Sequence, residues 1–169
     1  VIEMGIVPNL WFDDKSEEAA KFYVDVFSNR KGAANRPESK ITAVTHYPEG
    51  APRPAGMVLT VEFEIEGQRF TAINGGPEFT FDEAVSFLIE CEDQEEIDEL
   101  WEKLPAGGGE TNVCGWLKDK YGLAWQVVPK GMDEMFSRSD KDGVKRAFDA
   151  MMGMKKIEVA ELERAYEGT

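Results

Sequence analysis

The stretch Val85–Leu104, VSFLIECEDQEEIDELWEKL, decides how the chain is read, because it begins a pattern that the chain has already used once. VSFLIEC reads as a strand, Glu92-Asp93 offer capping oxygens, and QEEIDELWEKL carries an apolar face at helical spacing. Upstream, IVPNLWF (6 to 12) reads as a strand, Asp13-Asp14 as the acidic cap, and SEEAAKFYVDVF as a helix with Ala19, Ala20, Tyr23, Val24 and Phe27 on one face. Eight residues separate Asp14 from Phe22, and eight separate Asp93 from Trp101. A strand-helix-strands unit is therefore repeated, at a period too long for a solenoid.

Each helix leads into further strands. After a loop over 29 to 38 come ITAVTHY (41 to 47), a Pro/Gly loop, MVLTVEFEI (57 to 65), and a Glu66-Gly67 hairpin turn into QRFTAIN. After Gly107 to Gly109, a strand near VCGWLKD turns at Tyr121-Gly122 into LAWQVVP. The remainder, GMDEMF, KDGVKRAFDAMMGM and IEVAELERAY, is a helical tail; Val159, Leu162 and Tyr166 lie at helical spacing, so it packs against its own chain or a partner subunit. The expected fold class is α+β: two βαβββ modules forming a curved sheet around a cavity, with a C-terminal helical tail. One domain spans 1–169, with module 1 about 4–76, module 2 about 84–130 and the tail 131–169.

Composition narrows the function classes. The 42% hydrophobic content suffices for a core, and a formal charge of -14 without a basic stripe argues against a nucleic-acid partner. The opening VIEMGIVPNLWF has neither a basic start nor a long apolar run, so no targeting or membrane segment is expected and a cytoplasmic protein is. Cys91 and Cys114 are too few for a zinc ribbon, and Cys91 reads as a buried thiol; His46, the only histidine, reads as a strand-end surface residue.

Alternation places Leu123, Trp125 and Val127 on one face of the last strand and Ala124, Gln126 and Val128 on the other. With Lys120-Tyr121 as the central pair of the turn, Trp116 opposes Trp125 and Gly115 opposes Gln126. Trp125 is then expected on the helix-covered face and Gln126 on the concave one, with open space before it. The alternative is that Gln126 satisfies a buried backbone group.

PNLWF with AAKFY and VF, then AINGGPEF and EAVSF, then ECEDQEEID with LWEKL, then CGWLKDKYGLAWQVVP, together resemble the PhnB-like, 3-demethylubiquinone-9 3-methyltransferase-like branch of the vicinal oxygen chelate (glyoxalase/bleomycin resistance/dioxygenase) superfamily, from about Val7 through the tail. The resemblance implies paired βαβββ modules, a cavity, and a homodimer. It also implies that related enzymes bind a divalent metal through His, Glu or Gln on the first and last strands of each module, and that drug-sequestering relatives need none. Here those windows hold Ile6 to Leu10, Phe70 to Asn74, Val85 to Leu88, and Gln126, without a histidine or carboxylate. Neutral oxygen donors hold first-row divalent ions poorly, so no metal or other cofactor is expected. Glu62 and Glu64, on one face of their strand, read as a solvated face.

The expected function is small-molecule binding, with Asn9, Asn74, Ser86 and Gln126 as orienting groups among apolar walls. No catalytic residue is singled out. The alternative is an enzyme of the superfamily, of lyase or dioxygenase type or a methyltransferase, although no Gly-rich turn followed by a ribose-binding acid supports a nucleotide cofactor. An interaction module resting on the tail alone is a third reading.

Overall fold

Glu66 and Gly67 both adopt positive φ, 49° and 87°, the backbone of a tight two-residue hairpin turn, and this sets the register of the first sheet. In the computed structural model, which describes residues 5–169, that hairpin joins β3 (Val58–Ile65) to β4 (Gln68–Asn74). Before it come β1 (Asn9–Phe12), α1 (Ser16–Asn29) and β2 (Lys40–His46). Met4, at which the first module was expected to begin, lies outside the described residues. The strands take the order β1-β4-β3-β2, with β1 parallel to β4 and the other neighbours antiparallel.

The second half repeats this plan. β5 (Ser86–Cys91), α2 (Gln94–Lys103), β6 (Glu110–Thr111), β7 (Trp116–Lys118) and β8 (Ala124–Pro129) take the order β5-β8-β7-β6, again with the first and last strands parallel. Three helices follow: α3 (Met132–Phe136), α4 (Lys141–Met152) and α5 (Val159–Glu167). The chain divides into two compact units, Val1–Phe81 and Asp82–Thr169, each holding one βαβββ module and the second also the three helices of the tail.

Burial follows strand alternation. In the first unit Leu10, Phe12, Val61, Phe63, Ile65, Phe70 and Ala72 are buried on one face, which α1 covers with Ala19, Ala20, Tyr23, Val26 and Phe27. Tyr23 stacks on Phe63, and Phe63 on Phe70. The end of α1 is tied to the hairpin by Arg30, whose buried guanidinium grips Glu66 through Nε–Oε1 at 2.7 Å and a second bond at 3.0 Å.

Two local expectations are corrected. Asp13-Asp14 do not cap α1: the N-cap is Lys15, with no side-chain capping bond, and the orphan Ser16 N–H donates instead to Asn74 Oδ1 at 2.8 Å. Asp13 is engaged by Arg53. The first strand is also shorter than 6 to 12, since Pro8 has no N–H to give and joins the ladder only through its carbonyl, which accepts from Thr71. By contrast, Asp93 caps α2 as the sequence suggests: its carboxylate accepts from Glu96 N–H at 3.0 Å, while Glu96 reaches back to Glu92 N–H at 2.9 Å.

The register of β7 on β8 is the third correction. Trp116 opposes Gln126 and Leu117 opposes Trp125, so the tryptophans lie on opposite faces and Gln126 faces an indole rather than Gly115. The cause is Asp119, 2% exposed, whose carboxylate accepts from Tyr121 N–H, Leu123 N–H and the Trp125 indole N–H. This holds a wider turn, closed by Asp119 N–H to the Leu123 carbonyl, than a two-residue hairpin.

The tail packs on its own chain. Met135, Ala147, Met154, Ile157 and Leu162 form a buried cluster flanked by Phe136, Ala150, Met151 and Tyr166. Among the described residues no helix is long and apolar enough to cross a membrane.

Candidate functional site

Each sheet has one face under the helix of its own module, α1 or α2, and on the second sheet Met132 and Asp133 of α3 border part of the other face. On the second sheet, pairing places Phe87, Ile89, Cys91, Leu117, Trp125 and Val127 together on the side of α2. Ser86, Leu88, Glu90, Ala124, Gln126, Val128, Trp116 and Lys118 share the opposite face. Trp125 is therefore buried and Gln126 half-buried.

Of the four sequence-chosen residues, Asn9 and Asn74 belong to the first unit and Ser86 and Gln126 to the second. Ser86 and Gln126 do meet: the Gln126 amide donates to Ser86 Oγ at 2.9 Å on the open face of the second sheet. Asn9 is exposed on the first unit, and its amide donates to the Val7 carbonyl at 3.1 Å. Asn74 faces the other way. It shares the α1 side with Phe70 and Ala72, is 2% exposed, and spends its amide on Ser16 N–H and on the Val58 carbonyl at 3.0 Å. Its side chain belongs to the framework, and period-two alternation with Phe70 and Ala72 was the signal that could have shown it.

Beside the Ser86–Gln126 pair, the second unit holds a hollow of about 310 Å³ lined by Glu83, Glu110, Asn112, Val113, Trp116, Leu117 and Lys118. Trp116 joins the two features, being the cross-strand neighbour of Gln126. Lys118 Nζ lies between carboxylates, 2.8 Å from Glu83 and 3.2 Å from Glu110. The hydrogen bond to Glu83 above all, with that to Glu110 next, raises its pKa, and the same bond lowers that of Glu83. The trio offers polar contacts around an apolar floor. Sequence reasoning missed these residues because they come from three separate segments; only the spacing of Trp116 and Lys118, two apart on one strand face, hinted at them.

The first unit has a smaller and more polar hollow of about 200 Å³, where Thr42, Glu62, Glu64, Arg69 and Thr71 border Val7. The Glu62 and Glu64 face thus carries an opposing arginine, Arg69 being the cross-strand neighbour of Glu64.

At the windows read from sequence these faces offer neutral donors, which hold first-row divalent ions poorly. Ser86 and Gln126 are neutral and bonded to each other, and Thr71 and Ile73 occupy the open face of β4. Glu90, on the open face of β5 beyond the windows read from sequence, pairs with Val128 and borders a small hollow together with Asp133. Among the described residues no group of three or more His, Cys, Asp or Glu side chains is placed to hold an ion.

Comparison with known proteins agrees with this architecture. The family model described as 3-demethylubiquinone-9 3-methyltransferase matches residues 4–128, leaving the helical tail outside the match, whereas the sequence resemblance was read through to the C terminus. The PhnB protein of Bacillus cereus is 33% identical over 75% of this chain and 99% of its own, with a TM-score of 0.63. A Pseudomonas aeruginosa protein (19% identity, 75% and 98% covered, TM-score 0.56) and the fosfomycin resistance protein FosX of Mesorhizobium loti (11% identity, 82% and 100% covered, TM-score 0.53) share the fold. The comparison with curated proteins finds no match. With the repeated βαβββ module, these matches show that the chain belongs to the PhnB-like, 3-demethylubiquinone-9 3-methyltransferase family of the vicinal oxygen chelate superfamily.

Proposed function

We propose that the protein binds a small molecule in the hollow on the second unit, without a divalent metal. The observation that carries this reading is the hollow of about 310 Å³, where the Trp116 indole and Val113 supply apolar surface beside the charged Glu83, Lys118 and Glu110. A small apolar concavity with a few fixed polar groups is the usual form of a ligand site. The ligand lies over Trp116, and Gln126, held by Ser86, orients its polar end. Asn74 takes no part, because its side-chain amide is occupied by the fold.

The methyltransferase in the family description is the competing reading. It requires a donor cofactor, and the backbones at Gly75 and Gly109 are closely covered, the first by Trp11 and the second by Pro105 and the Lys118 carbonyl. We also infer a homodimer, from the resemblance alone, which sedimentation of the purified protein tests.

The test is a thermal-shift screen of neutral and charged aromatic compounds, S-adenosylmethionine and divalent ions, on wild type, Gln126→Leu and Trp116→Ala. A hit should raise the melting temperature of wild type, less that of Gln126→Leu and not that of Trp116→Ala. A rise caused by a metal ion, or a hit unaffected by either substitution, would sink the proposal.

A further inference from the structure

The wall of the hollow is built on a backbone that does not hold itself. Between Asn112 and Trp116 the chain passes through Cys114 and Gly115, both in the left-handed region with φ 58° and 81°. For cysteine that conformation is costly and persists only where the surroundings fix it. They are fixed from two sides. The Gly115 carbonyl accepts from Val127 N–H of β8 at 2.8 Å, while the N–H groups of Cys114 and Gly115 donate to the carbonyls of Met154 and Lys155, each at 2.8 Å. The piece of tail between α4 and α5, bent at Lys155 and Lys156, thus holds two consecutive backbone N–H groups of the wall.

That piece is in turn latched to α2. The Gln94 amide donates to the Ile157 carbonyl at 2.9 Å, and its oxygen accepts from Val159 N–H at 2.9 Å, so one side chain bridges two backbone groups of the tail. Lys156 adds an ion pair to Asp98 at 2.8 Å, and Ile157 is fully buried between these points. A Cβ on Gly115 would lie 2.7 Å from the Val127 carbonyl oxygen and 3.1 Å from Ile157 Cγ1, so the wall and the tail are in contact with no spare room.

We propose that the tail segment 154–159 is a strut for the ligand-site wall, and that Gln94, which does not line the hollow, is the positioning residue that seats it. The inference rests on the reading that the hollow is a ligand site, and extends it to a segment outside the family match. Releasing the tail frees the Cys114 and Gly115 amides and lets Val113 and Trp116 move. By linkage, a ligand that needs the ordered wall must also protect the tail.

Residue-resolved hydrogen exchange of the ligand-free full chain tests this, in wild type, Gln94→Leu and Gln94→Glu, which keeps the acceptor for Val159 but loses the donor to Ile157 and Asp98 and sets a carboxylate against both. In both variants the amides of Val159, Cys114 and Gly115 should exchange faster together, by roughly tenfold, with those of Ile89 in β5 and Phe63 in the first unit unchanged. Faster exchange at Val159 with Cys114 and Gly115 still protected would overturn the strut, as would no change at any of the three. Uniform acceleration across the second unit would reduce Gln94 to general stability and also overturn it. Since no ligand is present, these results are separate from the Trp116→Ala binding test, which judges the hollow itself.

Discussion

Asn74→Ala should destabilise the protein by about 2–4 kcal/mol, because it removes a helix cap and leaves a buried carbonyl unpaired. Ser16 N–H is a first-turn donor with no intrahelical partner, and Asn74 Oδ1 satisfies it at 2.8 Å. Losing such a capping acceptor costs about 0.5–2 kcal/mol. The Asn74 amide also donates to the Val58 carbonyl at 3.0 Å in a site where Asn74 is 2% exposed, and stranding that acceptor adds about 1–3 kcal/mol. Urea unfolding followed by far-UV circular dichroism gives the difference, with Gln126→Leu as the comparison. That variant loses one hydrogen bond on a half-buried face and should cost under about 1 kcal/mol. A loss below about 1 kcal/mol for Asn74→Ala, or lost ligand binding at unchanged stability, would refute the assignment of Asn74 to the framework.

Three further expectations follow from particular contacts. Gly75→Ala should cost about 1–3 kcal/mol, since its Cβ would stand 2.3 Å from the Trp11 ring and displace the indole from its hydrogen bond to Gly76; a neutral effect on urea unfolding would contradict that packing. Ser16→Ala removes a buried hydroxyl that has no hydrogen-bond partner among the described residues, so the same assay should show no loss and a gain of up to about 1 kcal/mol, while a loss beyond that would mean that the hydroxyl is satisfied. The tail latch should weaken in acid. The Gln94 amide first, and Lys156 next, hold Asp98 below the ordinary carboxylate range; its contribution is therefore present above the unfolded pKa of about 3.9 and lost as pH falls through the lower folded value. Protection of Val159 N–H should stay flat from neutral pH to about 5 and fall below about 4, and a drop between pH 6 and 8 would contradict the assignment.

The fold was legible because its signals are local. Apolar alternation in MVLTVEFEI, the Glu66-Gly67 turn, the Asp93 cap and the repetition of strand, helix and strands each depend on residues close in sequence, and each recurs in the structure. The register after Gly115 was not legible, because a side chain decides it: the Asp119 carboxylate gathers two backbone N–H groups and an indole, which overrides the tighter turn that the spacing allows. The cap of α1 failed for a similar reason, since the acceptor that reaches Ser16 lies 58 residues away and two nearby aspartates could be read in its place.

By itself the sequence determined the two modules, the faces of Trp125 and Gln126, and the lack of histidine and carboxylate at the windows where a metal would be held. Tertiary structure alone decided that Glu83, Glu110, Asn112, Trp116 and Lys118 surround one hollow, that Asn74 is framework, and that the tail braces the wall. The physical reason is that pattern and propensity act over a few residues, whereas a site is assembled wherever sheet order, register and buried hydrogen bonds bring distant segments together.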